Sequence, residues 1–456
     1  MSKSTIVFFL LAAYTSIRSF TDPWIGLVTY VGFVVLIPSW NWRWSWLSET
    51  GGWIDQKTFA VPTLIGTLLS GQISNRQCAT AKLSLWALTG FLVLSFISTF
   101  QSVLPLISWR FMDLFWKIWI MCIATCLLIR TEKMFNILVW VAVCGQSWNC
   151  YNINELYYKW GIRIDSFSWA GQDNNTYAIM TLPMGFLAMS VAIVSKRIWV
   201  KAISGLFFVL AMHEIMILQS RGTMIGGIVG FFLAFVFMPK TRMSVLAFVI
   251  AVVCGSILAG PSVVQEFNSS FKSSDELDSS ASSRYMLWRA GYEIGMENFL
   301  LGVGPSASRV VVPRYTKTGM SYKALHNLFF EVWTGSGAPA LVLYLCFFGI
   351  PWFMHFLIWV RGGVGESWSF RVANLAVLAG VPGYWAASMF SAGALLEPSY
   401  LLVAFGLAAL NIREFGDTST DGALAVQIDE GEDLDLDEEE FLDEVTTADV
   451  ETPASR

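Results

Sequence analysis

Residues Ser282 to Gly337 read SSRYMLWRAGYEIGMENFLLGVGPSASRVVVPRYTKTGMSYKALHNLFFEVWTGSG, and the rest of the chain is organised around them. Most of this stretch forms the long polar interruption in a very hydrophobic sequence. It carries arginines near its start, a Gly-Val-Gly-Pro turn in its middle, and His326-Asn327 where the apolar sequence resumes. If the protein catalyses a reaction, we expect the catalytic residues in this loop and in the segments on which it rests.

The chain around this loop has the composition of a membrane protein. Of its 456 residues, 55% are hydrophobic and 14% are charged, and the mean hydropathy is +0.56. Soluble domains carry about 25% charged residues. Apolar runs of about 20 residues, each long enough to cross a hydrocarbon core, recur along most of the sequence. We therefore predict an all-α polytopic membrane protein with about 12 or 13 transmembrane helices and one large extracytoplasmic loop.

The apolar segments suggest a division of the chain into four regions. The candidate membrane segments are residues 5–17, 24–39, 59–70, 83–100, 112–130, 133–150, 177–195, 199–219, 222–238, 243–260, 326–350, 372–391 and 397–412. The four predicted regions are the N-terminal transmembrane helices at 1–260, the large loop with a short amphipathic helix at 261–325, the C-terminal transmembrane helices at 326–412, and an acidic disordered cytoplasmic tail at 413–456.

The net charge of −5 averages two different regions. Residues 414–456 hold 16 acidic residues and one basic residue, which leaves 18 acidic and 28 basic residues in the rest of the chain. The excess of basic residues outside the tail favours binding to anionic membrane lipids or to an anionic lipid-linked substrate. The tail is expected to be a solvated extension. We expect membrane lipids among the partners and no nucleic acid.

Basic residues predict the orientation of the second half of the chain. Three pairs of basic positions alternate with connections that are poorer in basic residues: Lys196-Arg197 with Lys201, Lys240 with Arg242, and Arg361 with Arg371. The positive-inside rule assigns these positions and the tail to the cytoplasm. The connections 151–176, 219–222, 261–325 and 391–397 then face the opposite side, so the organising loop is extracytoplasmic.

Arginines stand at two places where an anion can bind. Arg221 lies in a tight turn between two apolar segments, where an arginine either extends to the membrane surface or marks an anion site. Arg284 and Arg289 lie on a predicted helix, about 140° apart. We therefore expect one of them to bind a ligand while the other faces solvent or a headgroup. The planar guanidinium suits phosphate, although solvated interfacial arginines remain an alternative.

His326 is the histidine with the position of a catalytic base. His213 and His355 lie inside apolar segments, whereas His326 stands where the loop re-enters the membrane and is followed by Asn327. A neutral imidazole accepts a proton from a hydroxyl near pH 7. Asp173-Asn174 precedes another segment on the same predicted side; these side chains can cap that helix or hydrogen-bond a sugar, and we expect capping.

We expect no metal and no cofactor. The seven cysteines form no CxxC pair, and most of them lie in apolar segments. No group of His, Asp and Glu surrounds His326 in the sequence. The turn at Gly302-Val303-Gly304-Pro305 lacks the strand and helix that a phosphate-binding loop of a nucleotide fold requires.

Together these pieces resemble the O-antigen ligase and polymerase family of bacterial envelope glycan enzymes. The resemblance rests on Ser220-Arg221-Gly222, on Arg284 followed by Trp288, on Gly302-Val303-Gly304, and on His326-Asn327 ahead of a glycine-containing helix. Their order and spacing fit the ligase core of the family across residues 219–350. The Pro23-Trp24-Ile25-Gly26 start and the Asp173-Asn174-Asn175 stretch are similar to one branch, the exosortase-associated ligases proposed to glycosylate proteins.

The resemblance implies a metal-independent, inverting glycosyltransferase of the GT-C type in the bacterial cytoplasmic (inner) membrane. Its donor would be a glycan on undecaprenyl diphosphate, and its acceptor a hydroxyl on lipid A core or protein at the periplasmic face. His326 would be the general base, and Arg221 and Arg284 would hold the diphosphate. Arg289 is a secondary candidate for substrate binding, with Asn327 and the Asp173-Asn174 pair.

Other functions fit the same residues. A glycan polymerase would use the same donor with another lipid-linked glycan as the acceptor. A transporter or flippase of lipid-linked glycan would need charges inside the helix bundle, for which Glu214 beside His213 is the available pair. A non-catalytic scaffold is a further alternative, and the ordered Arg221, Arg284 and His326 argue against it.

Overall fold

The computed structural model describes residues 3–40, 54–69, 77–161, 169, 171–258, 279–316, 323–365 and 367–416. These residues are helical and contain no strand beyond an isolated bridge between Trp169 and Gln172. The α-helices, numbered in chain order, are α1 (Lys3–Ser19), α2 (Pro23–Leu36), α3 (Gln56–Leu69), α4 (Ala79–Phe100), α5 (Pro105–Leu128), α6 (Glu132–Trp160), α7 (Asn174–Val194), α8 (Ile198–Ile217), α9 (Arg221–Phe237), α10 (Arg242–Leu258), α11 (Ser279–Glu297), α12 (Ser308–Val311), α13 (Leu328–Ser336), α14 (Ala338–Val360), α15 (Trp368–Ser388) and α16 (Glu397–Phe415).

The helices confirm an all-α polytopic membrane fold. In the described part of the chain, five helices are long and apolar enough to cross a membrane, namely α4, α5, α7, α8 and α14. Helices α2 and α9 and most of α1 are apolar but shorter. The larger number of 12 or 13 crossings stays a prediction. Helix α11 covers the short helix that the sequence predicts inside the large loop.

The apolar segment 326–350 is two helices, and its prediction as a single segment was wrong. Helix α13 ends at Ser336, and Gly337 has a φ of +91°, a left-handed conformation that favours glycine. A β-carbon on Gly337 would lie 2.1 Å from the carbonyl oxygen of Leu300. The Ala338 N–H then donates to the Phe299 carbonyl at 2.8 Å as α14 begins. The loop before α12 therefore packs where a continuous helix would run.

The predicted Gly-Val-Gly-Pro turn is present and holds the C-terminal end of α13. The Val303 N–H donates to the Thr334 carbonyl at 2.8 Å, and the Gly304 N–H donates to the Gly335 carbonyl at 3.0 Å. Carbonyl groups in the last turn of a helix have no partner within the helix. The Ser98 hydroxyl of α4 also donates to the Gly335 carbonyl, at 2.8 Å. The turn therefore joins the large loop to the membrane helices and fixes α13 between them.

Helices α9 and α15 approach each other closely because small residues lie in their contact. Gly222, Gly226 and Gly230 recur every four residues on one face of α9. A β-carbon on Gly226 would lie 2.4 Å from the carbonyl oxygen of Gly383 in α15. Close backbone packing of this kind is how small residues stabilise helix pairs in membranes. It holds Arg221, the first residue of α9, at the end of α15.

Candidate active site

The turn after α15 is the point at which three predicted site segments meet. A β-carbon on Gly222, next to Arg221, would lie 2.7 Å from Cβ of Phe390. The Nδ2 group of Asn327 donates to the Met389 carbonyl at 3.1 Å. The ring of Trp288 in α11 lies 6.1 Å from the ring of Phe390, centroid to centroid. The start of α9, Asn327 and α11 are far apart in the sequence, and all of them contact Met389 or Phe390.

The backbone of His326 is in the left-handed conformation, with a φ of +49°. A residue other than glycine pays a conformational cost of roughly 1–3 kcal/mol there, and such residues cluster at functional sites. The next residue holds the strained backbone in place, since Oδ1 of Asn327 accepts hydrogen bonds from the N–H groups of Phe329 at 3.0 Å and Phe330 at 3.1 Å. The imidazole is thus carried on a fixed turn directly before α13.

The surroundings of His326 keep its imidazole neutral. Burial lowers the pKa of His326 below its ordinary value near 6.5, and the positive charges of Arg284 and Lys323 lower it further. The carboxylate of Asp173 acts in the opposite direction and raises this pKa. Arg284 and Asp173 therefore influence the pKa of His326 in opposite directions. A neutral imidazole at pH 7 is the form that accepts a proton.

Arg221 stands at the N-terminus of α9. The N–H groups of the first helical turn have no partner within a helix, and the helix dipole is positive at this end. Ser220 precedes the helix, and its hydroxyl bonds to the Thr223 hydroxyl at 2.8 Å without capping the backbone. The Arg221 guanidinium and the N-terminus of α9 can therefore both attract an anion.

The two arginines of α11 have different environments. Arg284 is half-buried on the side that acts on His326. Arg289 has 84% of its side chain exposed, and its Nε lies 3.1 Å from Oε1 of Glu293. The helical period separates them in this way, because a five-residue spacing points two side chains in different directions. Arg284 influences the pKa of His326, whereas Arg289 faces outward.

Asp173 caps the start of α7, and Asn174 connects it to the turn before Arg221. Oδ1 of Asp173 accepts hydrogen bonds from the N–H groups of Asn175 at 2.9 Å and Thr176 at 3.0 Å, which confirms the predicted cap. Nδ2 of Asn174 donates to the Leu218 carbonyl at 2.9 Å. Both side chains therefore position the site. Their role in substrate binding, like that of Asn327, stays a prediction.

The loop that follows α15 is the predicted connection 391–397, but its contacts with the helices around the candidate site were missed in the sequence. Oε2 of Glu331 in α13 accepts a hydrogen bond from the Gly393 N–H at 3.1 Å. The Tyr384 hydroxyl donates to the Gly393 carbonyl at 3.1 Å, and the Tyr400 hydroxyl donates to the Ala394 carbonyl at 2.6 Å. These contacts hold the loop against α13, α15 and α16. A carboxylate five residues after His326, in an otherwise apolar helix, was the signal available in the sequence.

The pair His213 and Glu214 does not form one charged site. Glu214 is fully buried, and its Oε1 accepts a hydrogen bond from the Thr181 hydroxyl at 2.6 Å. His213 bonds through Nδ1 to Oδ1 of Asn154, and its ring stacks on Tyr158 at a centroid distance of 5.5 Å. The two neighbours therefore have separate partners, on α7 and on α6.

The arrangement can assist the transfer of a group away from an anionic leaving group. His326 can take a proton, and Arg221 and Arg284 can stabilise negative charge. In the part of the chain that the structure describes, no group of three His, Cys, Asp or Glu side chains has the arrangement of metal ligands.

Residues 206–345 match the family model described as O-antigen ligase. The matched region contains Arg221, Arg284 and His326, and it ends before the loop that follows α15. No curated protein matches the chain in sequence.

Proposed function

We propose, from the match of residues 206–345 to the O-antigen ligase family model, that this membrane protein is an enzyme that transfers a glycan from undecaprenyl diphosphate to an acceptor hydroxyl on lipid A core or on a protein. The transfer takes place at the periplasmic face of the bacterial cytoplasmic membrane. One arrangement carries the proposal. His326 is neutral because its pKa is lowered, in part by the charge of Arg284. It lies at the turn after α15, which Gly222 of α9, the neighbour of Arg221, also contacts.

The proposed reaction is a single displacement. His326 takes the proton of the acceptor hydroxyl, and the acceptor oxygen forms a bond to the anomeric carbon of the first sugar. The bond between that carbon and the diphosphate oxygen breaks with inversion, and its electron pair leaves with undecaprenyl diphosphate. Arg221, Arg284 and the N-terminus of α9 stabilise the charge that develops on the diphosphate. With guanidinium groups in this role, the reaction requires no divalent metal.

A transfer assay with purified protein tests this function. The wild-type protein in detergent, supplied with undecaprenyl-diphosphate-linked glycan and EDTA, should form product with lipid A core or with a protein acceptor. Product that appears only with a second lipid-linked glycan would identify a polymerase instead. Activity that EDTA abolishes and Mg²⁺ restores would contradict the metal-independent mechanism. No product with any acceptor, together with movement of the donor across a bilayer, would favour the transporter.

The rate of transfer should fall as the pH decreases through the pKa of His326, because the protonated imidazole cannot accept a proton. This pKa lies below 6.5, so kcat/KM should be flat above that pH and fall below it. Asp173→Asn removes a charge that raises the pKa, and should move the acidic limb to lower pH. Lys323→Gln removes a charge that lowers the pKa, and should move the limb to higher pH.

The pH–rate profiles of the wild type and of the two variants provide this measurement. Opposite displacements of the limb are expected, because the two charges act on the His326 pKa with opposite signs. A limb that stays in place in both variants, or that moves in the same direction in both, would assign the titration to a different group.

A further inference from the structure

We propose that Trp288 and Phe390 bind the sugar that is attached directly to the diphosphate of the donor. The inference rests on the proposed function and adds a binding site for the sugar beside the binding site for the diphosphate. The ligand is a pyranose ring, with Trp288 donating a hydrogen bond to one of its hydroxyl groups.

Trp288 lies on the same face of α11 as Arg284. The two residues are four positions apart in the helix, a spacing at which side chains are neighbours. The Trp288 ring lies 5.9 Å from Tyr285 and 6.1 Å from Phe390, centroid to centroid, and is tilted by 48° to the Phe390 ring. The aromatic pair of Trp288 and Phe390 therefore lies next to Arg284, which lowers the pKa of His326.

Phe390 connects this pair to the second arginine. A β-carbon on Gly222 would lie 2.7 Å from Cβ of Phe390, and Gly222 directly follows Arg221. The aromatic pair therefore connects α11, which carries Arg284, with the start of α9, which carries Arg221. If these arginines hold the diphosphate, the anomeric carbon is one bond beyond its terminal oxygen, and the first sugar must lie beside the same residues.

The indole N–H of Trp288 supplies the hydrogen bond. Its Nε1 atom is buried and has no hydrogen-bond partner among the described residues. A buried donor without a partner is costly, and the N–H of a buried tryptophan usually finds one. A sugar hydroxyl is an acceptor for this group, while the aromatic faces pack against the C–H groups of the sugar ring.

Trp333 of α13 offers a matched comparison. Its Nε1 is also buried without a partner among the described residues. Its ring packs against α11, since a β-carbon on Gly295 would lie 2.7 Å from Cε2 of Trp333, and it meets Tyr292 edge to face at 5.9 Å. Trp333 thus fills the contact between two helices, and its replacement reports on packing alone.

The test compares the binding of two lipids to the wild type, to Trp288→Phe and to Trp333→Phe. The lipids are the undecaprenyl-diphosphate-linked glycan and undecaprenyl diphosphate without sugar, and binding is measured in detergent by native mass spectrometry. Trp288→Phe retains an aromatic ring and removes the N–H. It should bind the glycan-bearing lipid about 5- to 10-fold more weakly than the wild type. All three proteins should bind the sugar-free lipid equally.

The two proposals fail in different ways. Equal affinity of the wild type and Trp288→Phe for the glycan-bearing lipid would overturn the sugar site, even with a protein that is active in transfer. The same loss in Trp333→Phe would also overturn it, because the effect would then come from packing. A sugar-dependent loss confined to Trp288→Phe supports the site, whether or not transfer to a given acceptor is observed.

Discussion

His326→Ala should reduce glycan transfer by about 10²- to 10⁴-fold, the contribution of a positioned general base. The loss should appear in kcat, because the acceptor hydroxyl keeps its proton while the donor still binds to the arginines. His326→Asn is the sharper variant, since asparagine adopts the left-handed backbone conformation of position 326 readily and cannot act as the base. The measurement is steady-state transfer by each variant, together with its affinity for the donor.

His213→Ala is the matched control for the loss of a histidine. His213 bonds to Asn154 and stacks on Tyr158, and it has no role in the proposed reaction. The activity of the His213→Ala variant should stay within about threefold of wild-type activity, because the substitution removes no group that takes part in the reaction. Wild-type activity in both His326 variants, or a greater loss in His213→Ala, would show that the base has been assigned to the wrong residue.

Arg221→Ala and Arg284→Ala should each reduce kcat by about 10²- to 10³-fold, the usual effect of removing one group that stabilises developing charge. The negative charge on the departing diphosphate grows as the bond to the sugar breaks, so the arginines act most strongly in the transition state. Lysine at either position should restore only part of the rate, because an ammonium group lacks the planar fork that binds two phosphate oxygens.

Arg314→Ala is the control for the loss of an arginine from the large loop. Arg314 is exposed in the turn after α12 and has no role in the proposed reaction. Kinetics with saturating donor separate the contributions of binding and chemistry. A loss confined to KM in Arg221→Ala and Arg284→Ala, with normal kcat, would limit the arginines to holding the donor before the reaction.

The features that depend on local sequence could be predicted. Apolar runs identified the helices, and the polar stretch between them identified the loop that carries α11. The helical period separated Arg284 from Arg289, and Asp173 was expected to cap α7. Each of these properties depends on residues within one or two helical turns. The position of His326 at the end of the polar loop was likewise visible without a structure.

The features that depend on distant contacts could not be predicted. Hydropathy does not register the break at Gly337. Gly337 and Pro339 mark it locally, whereas the packing of Leu300 against Gly337 is a distant contact. Met389 and Phe390 carry no chemical signature in the sequence. They become candidates because α9, α11 and Asn327 all contact them. A hydrophobic pair becomes recognisable as a site only when its partners are known.

The glycine face of α9 also sets the order in which the enzyme can assemble during synthesis. Its partner α15 emerges from the ribosome long after α9, because α10, the large loop, α13 and α14 lie between them. In the folded protein Gly226 packs on Gly383, and Gly222, the neighbour of Arg221, packs on Phe390. A nascent chain that stops at residue 345 would hold every residue of the matched domain and still lack the site. The last helices to enter the membrane complete it.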